Sequence, residues 1–312
     1  MTAIWRGFPK AALAVALVAG GAGSILLPPP AGAEDAQQQV AQPAEAQPSE
    51  ATWDAIRFDV VGDTAIAAGE GIVEIEAPYR AHDAAIVPID VTARLPEGRT
   101  VKRMTLVIDE NPAPVAATFT FGEPLAEMAV STRVRINSYS WVRAIVEADD
   151  GSLYMSRRYV KASGGCSAPA LKDADAALAQ LGRMKVRFPE AAPAAEATAT
   201  PVAVPAPAGT EEATGGGAKR LKAQIMIRHP NYSGLQMNQL TQLYIPAHFV
   251  NDIEISQGGR MLLKMEGGIS LSEDPTIAFD FVSNGSPVLD VKAIDTEGQV
   301  FSGTFPVDTG RS

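Results

Sequence analysis

The sequence predicts an all-β protein of two antiparallel sandwiches, and three observations carry that prediction. Both halves of the chain are dominated by alternation of apolar and polar residues with period two, the pattern of half-buried strands. Turn residues punctuate these runs at regular spacing, as at Asp149-Asp150-Gly151, Gly258-Gly259, Asn284-Gly285 and Glu297-Gly298. Two segments are too poor in large apolar residues to fold. Residues 34–50 contain none but Val40, and residues 191–218 run in Ala, Pro, Thr and Gly to Gly215-Gly216-Gly217.

The 312 residues are 46% hydrophobic and only 6% aromatic, enough for two small cores with soft connections between them. Lys and Arg number 26 against 36 Asp and Glu, a formal net charge of −10, and no basic cluster offsets it, so nucleic acid is excluded as the main partner. The single cysteine excludes a disulfide framework and any zinc site with two thiolates.

The elements follow in chain order. Arg6 and Lys10, the apolar run 11–19 and the small residues Ala31-Gly32-Ala33 predict a cleaved secretory signal over residues 1–33 and hence a periplasmic protein. The run is broken by Gly20, Gly21 and Gly23 and ended by Pro28, Pro29 and Pro30, short of the ~20 residues of a membrane span, and no later apolar run supplies one. A disordered linker follows over 34–50. The first sandwich spans 51–166, with strands at 101–109, 117–121, 131–136, 142–148 and 152–160. In 170–188, Leu171, Ala174, Leu178, Leu181 and Met184 fall at three- and four-residue steps, predicting a short helix within 167–188 with Pro169 at its first turn. A flexible Pro/Ala/Gly linker over 189–218 leads to the second sandwich, 219–312, where 221–227, 248–256, 260–266, 276–281, 289–295 and 299–307 read as strands. Many short strands with regular turns point to sandwiches of immunoglobulin-like type.

Cys166 lies in Ser163-Gly164-Gly165-Cys166-Ser167-Ala168-Pro169, after the last strand of the first sandwich. Gly164 and Gly165 free the backbone, which suits a flexible arm that hands a group between partners. An unpaired thiol is a liability in an oxidising compartment, which favours a functional reading. The alternative is a small buried residue in a turn. A helix starting at Ser167 to Pro169 would aim its positive end at the thiol and lower its pKa, with Lys161 and Lys172 as neighbouring cations.

His82, His229 and His248 lie far from Cys166 in sequence, so no Cys-His catalytic signature is present. His229 and His248, 19 residues apart without a third ligand signature, predict no metal site, and no cofactor motif is found. Glu273-Asp274 and Asp149-Asp150 read as carboxylates of turns and solvated faces, and Trp53 and Trp141 as core.

Several stretches carry a family resemblance. Residues 77–91, 108–121, 131–136 and 142–166 resemble SoxY, the cysteine-bearing subunit of the SoxYZ sulfur carrier. Residues 227–235, 245–250, 269–281 and 291–307 resemble SoxZ, so the whole looks like a fused SoxYZ and, more narrowly, like the SoxYZ-like carriers associated with quinoprotein dehydrogenases. The resemblance implies a non-catalytic carrier without cofactor, in which Cys166 is the covalent attachment point for sulfur intermediates and Gly164 and Gly165 form the arm. It implies periplasmic redox or hydrolytic enzymes as partners, among them cytochrome c or quinoprotein dehydrogenase systems, and an intramolecular contact between the sandwiches. The sequence departs from the family's GGCGG-type tail: Ser167-Ala168-Pro169 follow the cysteine and the chain continues. Two other classes stay open, an interaction or chaperone-like module accessory to a periplasmic quinoprotein dehydrogenase and a thiol enzyme.

Overall fold

Alternation along each strand dictates a layered architecture, and the computed structural model shows two sheets face to face, describing residues 49–169, 178–189 and 220–307. The predicted signal, most of both linkers and residues 170–177 of the predicted helix lie outside the described residues.

The first half opens with helix α1 (Ala51–Val61), followed by β1 (Ile66–Ala68), β2 (Val73–Glu76), β3 (Val87–Arg94), β4 (Val101–Ile108), β5 (Val115–Leu125), β6 (Glu127–Val134), β7 (Ser140–Ala148) and β8 (Leu153–Val160). Next come β9 (Met184–Arg187), β10 (Arg220–Ile227), β11 (Val250–Gln257), β12 (Arg260–Gly267), β13 (Thr276–Val282), β14 (Val288–Asp295) and β15 (Val300–Pro306). A nine-stranded sheet runs β1-β8-β7-β4-β5-β12-β11-β14-β15, and a six-stranded sheet runs β2-β3-β6-β13-β10-β9. The all-β, sandwich-like class predicted from period two is what the chain adopts. Pairing is antiparallel except at β1, which joins β8 in parallel.

The connection between the halves differs from the soft joint expected. Both sheets run through it. β5 pairs with β12 in the register Phe119↔Met265 and Phe121↔Leu263, and β6 pairs with β13 in the register Val130↔Phe279 and Thr132↔Ile277. The inward side chains form one apolar cluster that includes Leu106, Phe119 and Val130 from the first half and Ile225, Leu263 and Phe279 from the second. Without the other half, β5 and β6 or β12 and β13 would be edge strands, so hydrogen bonding and apolar burial both favour the joined state.

Residues 184–187 are strand β9, not the end of a helix: Gly182 turns the chain at φ +73°, and Met184 to Arg187 then add to the edge of β10. The sequence reading also missed α1, although Trp53, Ile56 and Val60 fall at helical steps and Gly62 ends the helix by donating its N–H to Phe58 O (2.8 Å). Trp53 packs on Val107, Ile145 and Leu153. Glu50, placed in the disordered linker, starts this helix and reaches Arg143 at 2.6 Å.

Candidate functional site

Strand β8 delivers the chain to the joint between the two halves, where Lys161 bridges in parallel to Arg80 and residues 163–169 turn back. The turn is docked rather than projecting. Gly164 N–H donates to Asn137 O (2.8 Å) and Gly165 N–H to Ile136 O (3.0 Å), both just beyond β6. From the second half, Ser233 Oγ donates to Cys166 O, and Gln236 Nε2 donates to Ala168 O (2.9 Å).

The two glycines serve different needs. Gly164 takes φ +77°, a left-handed conformation that side chains disfavour, with open space around it. Gly165 lies where a Cβ would meet Ala84 O at 2.1 Å and Ile136 O at 2.7 Å, so only a residue without a side chain fits.

Cys166 is the predicted attachment residue, and its environment overturns the exposed arm. The side chain is 0% exposed. Burial pushes the thiol up to about 11, and the nearby Arg135 guanidinium opposes this without prevailing. The expected lowering of its pKa is therefore reversed in the docked loop. Lys161 stacks its ammonium over Tyr79 (4.8 Å to the ring centroid), and Lys172 lies outside the described residues.

Two functional features escaped the sequence reading. Arg135, one residue past the end of β6, is 1% exposed and sits beneath the cysteine loop, with Nη1 donating to Gly165 O (3.2 Å) and Nη2 to Asn231 O (3.4 Å). Alternation could not flag it, because the surface that covers it comes from loops distant in sequence. The second feature is a cluster of His229, His248 and Asp295, buried together with one ligand atom each within 4.8 Å of the others. Asp295 is the third partner that the spacing of the two histidines did not reveal.

The cluster forms a clasp around Asp295. Asn231 N–H donates to His229 Nδ1 (3.0 Å), so the neutral ring carries its proton on Nε2, which lies 3.5 Å from Asp295 Oδ2 without a hydrogen bond among the described residues. With Nδ1 taken by the Asn231 amide and the proton on Nε2, the neutral His229 ring has no free lone pair to offer a cation. His248 Nε2 meets the same Asp295 oxygen at 2.8 Å. Burial, then the neighbouring His248, pushes His229 down to about 4. Burial acts to raise Asp295, but the His248 hydrogen bond and the amides of Gln299 and Glu297 outweigh it and hold the carboxyl below its usual range. The clasp fixes the segment from His229 to Ser233, whose far end holds the cysteine loop. His82 does not join it. Asp274, expected as a carboxylate of a turn or solvated face, lies between strands at φ +49° but is buried, and it accepts from His229 N–H (3.1 Å).

Residues 57–166 match the family of the sulfur oxidation protein SoxY, and residues 211–306 match that of the sulphur oxidation protein SoxZ. The chain joins a SoxY part and a SoxZ part, a fused SoxYZ-like carrier. It is thus a sulfur-oxidation carrier protein, non-catalytic in itself and acting with partner enzymes. Among solved structures, the sulfur carrier protein SoxY from Chlorobium limicola f thiosulfatophilum is 26% identical, covers 36% of this chain and 97% of its own, and has a TM-score of 0.31. A superoxide reductase (neelaredoxin) from Ignicoccus hospitalis is 16% identical over 29% of this chain and 78% of its own, with a TM-score of 0.25. No match was found among curated proteins. In this SoxYZ fusion the SoxY match ends on Cys166 itself, and the SoxZ part supplies Ser233 and Gln236 that hold its loop.

Proposed function

We propose that this SoxYZ fusion is a periplasmic carrier that holds a covalent sulfur intermediate on Cys166 and presents it to partner enzymes. The observation that carries the reading is the placement of the chain's single cysteine at the end of the SoxY match, on a loop held by both halves. Loading joins Cys166 Sγ to a sulfur anion as an S–S bond. One thiol proton and two electrons leave in that step, and a redox partner such as a cytochrome c or quinoprotein system accepts the electrons. Delivery requires the loop to undock, because a fully buried sulfur reaches no other active site. The loop continues beyond Cys166 into Ser167 and Ala168, so it emerges as a bend held at both ends and suits an open cleft in the partner. The Arg6 to Ala33 signal pattern supports export.

The burial of Cys166 favours a second reading, an immunoglobulin-like interaction or chaperone module accessory to a periplasmic quinoprotein dehydrogenase, in which the thiol is structural. Intact mass of the protein purified from its native periplasm separates the two. The carrier is expected to show sulfur or sulfur-oxyanion increments that vanish in Cys166→Ser. An unmodified thiol, with partner binding unchanged in Cys166→Ser, would leave the module.

A further inference from the structure

Two arginines are almost fully buried, and their surroundings differ. Arg143, 0% exposed, holds Asp109 through both Nε and Nη2, reaches Glu50 through Nη2 and lies 4.6 Å from the Trp53 ring centroid. Among the described residues, Arg135, 1% exposed, donates only to two backbone carbonyls at 3.2 and 3.4 Å, and its Nε has no hydrogen-bond partner. Asp83 and Glu273 act on it electrostatically without hydrogen-bonding it, whereas Arg143 has carboxylates in contact. A buried guanidinium without a bonded anion is under-compensated, and this one binds the carbonyl next to Cys166.

We propose that Arg135 reads the charge of the group carried on Cys166: an adduct ending in an anion, such as a sulfonate, keeps the loop docked over the guanidinium, and an uncharged adduct, even a smaller one, releases it. Any adduct needs room that the fully buried thiol does not have, so size favours undocking in both cases and charge decides between them. Loop position then reports the chemical state of the cargo. Charged intermediates are sheltered until a partner draws the loop out, and uncharged ones are exposed. This role rests on Cys166 being the attachment point and names Arg135 as its specificity-determining residue.

The test uses two adducts made on the purified full chain. Tetrathionate reacts with the Cys166 thiolate to give Sγ–S–SO3−, expelling thiosulfate, and methyl methanethiosulfonate gives Sγ–S–CH3, expelling methanesulfinate. Amide hydrogen exchange at Gly164 and Gly165, whose N–H groups bond Asn137 O and Ile136 O, reads docking. Exchange at both amides is expected to be slower by about tenfold or more in the sulfonate adduct, the size expected of a charge-assisted contact. The difference should collapse in Arg135→Met and persist in Arg135→Lys. Equal exchange in the two wild-type adducts, or a difference that survives in folded Arg135→Met, would overturn the proposal. If Arg135→Met does not fold, the wild-type pair decides alone. Because both adducts are made in vitro, a negative result removes the role of Arg135 and leaves the carrier reading standing, whereas an unmodified thiol in periplasmic protein removes the carrier reading itself.

Discussion

A methyl group at position 165 has no room, since its Cβ would stand 2.1 Å from Ala84 O. Gly165→Ala should therefore lift the cysteine loop. Alkylation of reduced native protein at pH 8 is expected to rise by about tenfold or more over wild type, because undocking restores solvent to the thiol and removes the burial that raises its pKa. Unchanged labelling would show that the loop tolerates the clash. At the second buried site the sign of the pH effect can be worked out. The unfolded chain takes up a proton on His229 near 6.5, but the folded protein resists down to about 4. Stability from this group is thus complete above the unfolded value and is lost as pH falls through that window, by about 2 kcal/mol between pH 7 and 5. Urea unfolding at the two pH values should show that loss, and His229→Gln should flatten it. An equal slope in the variant would place the acid sensitivity elsewhere. The sequence made the cysteine conspicuous through its solitude and its two glycines. It could not show the burial, because Ser233 and Gln236 come from 67 and 68 residues further along the chain than their partners.

Among the elements, most central strands were legible because one face of each is buried, as in the strict alternation of β10 and β14. The misread elements are those whose state is set by a neighbour. Residues 184–187 carry apolar groups at positions 184 and 186, a pattern too short to separate helix from strand, and the open edge of β10 decides. Helix α1 was hidden by the composition of the segment before it. The joint itself depends on one close approach: a Cβ at Gly122 would meet Met261 O at 2.0 Å, beside the pairing of Phe121 with Leu263. Gly122→Ala should force β5 and β12 apart, with an expected loss of about 1–3 kcal/mol in urea unfolding, in the range of overpacking substitutions. A midpoint within error of wild type would mean that the strand shifts register without cost.

For the molecule as a whole, the prediction concerns covalent continuity. Residues 190–219 connect β9 to β10, which already pair side by side. Proteolysis within that segment should leave the two fragments together on size exclusion at micromolar concentration, held by both shared sheets and the common core. Clean separation would contradict the continuous core. The sequence implied contact between the halves through family resemblance and through the reach of the 191–218 linker, and neither specifies which strands meet. Residues about 145 apart pair across the joint, and no local pattern encodes a pairing of that range.

Such long-range pairing sets the order of events while the chain is being made. Strands β5 and β6 are complete long before β12 and β13 exist, so the growing polypeptide holds two unsatisfied strand borders until more than a hundred further residues have emerged. Bare borders of this kind recruit other chains. Tethering the complementary half to the same polypeptide makes capture of the right strands a unimolecular event that does not depend on how much of a separate subunit the cell supplies. Fusion in this protein is therefore a safeguard of synthesis as well as a fixed stoichiometry, and expression of residues 51–189 alone should yield aggregates that co-expressed 219–312 rescues.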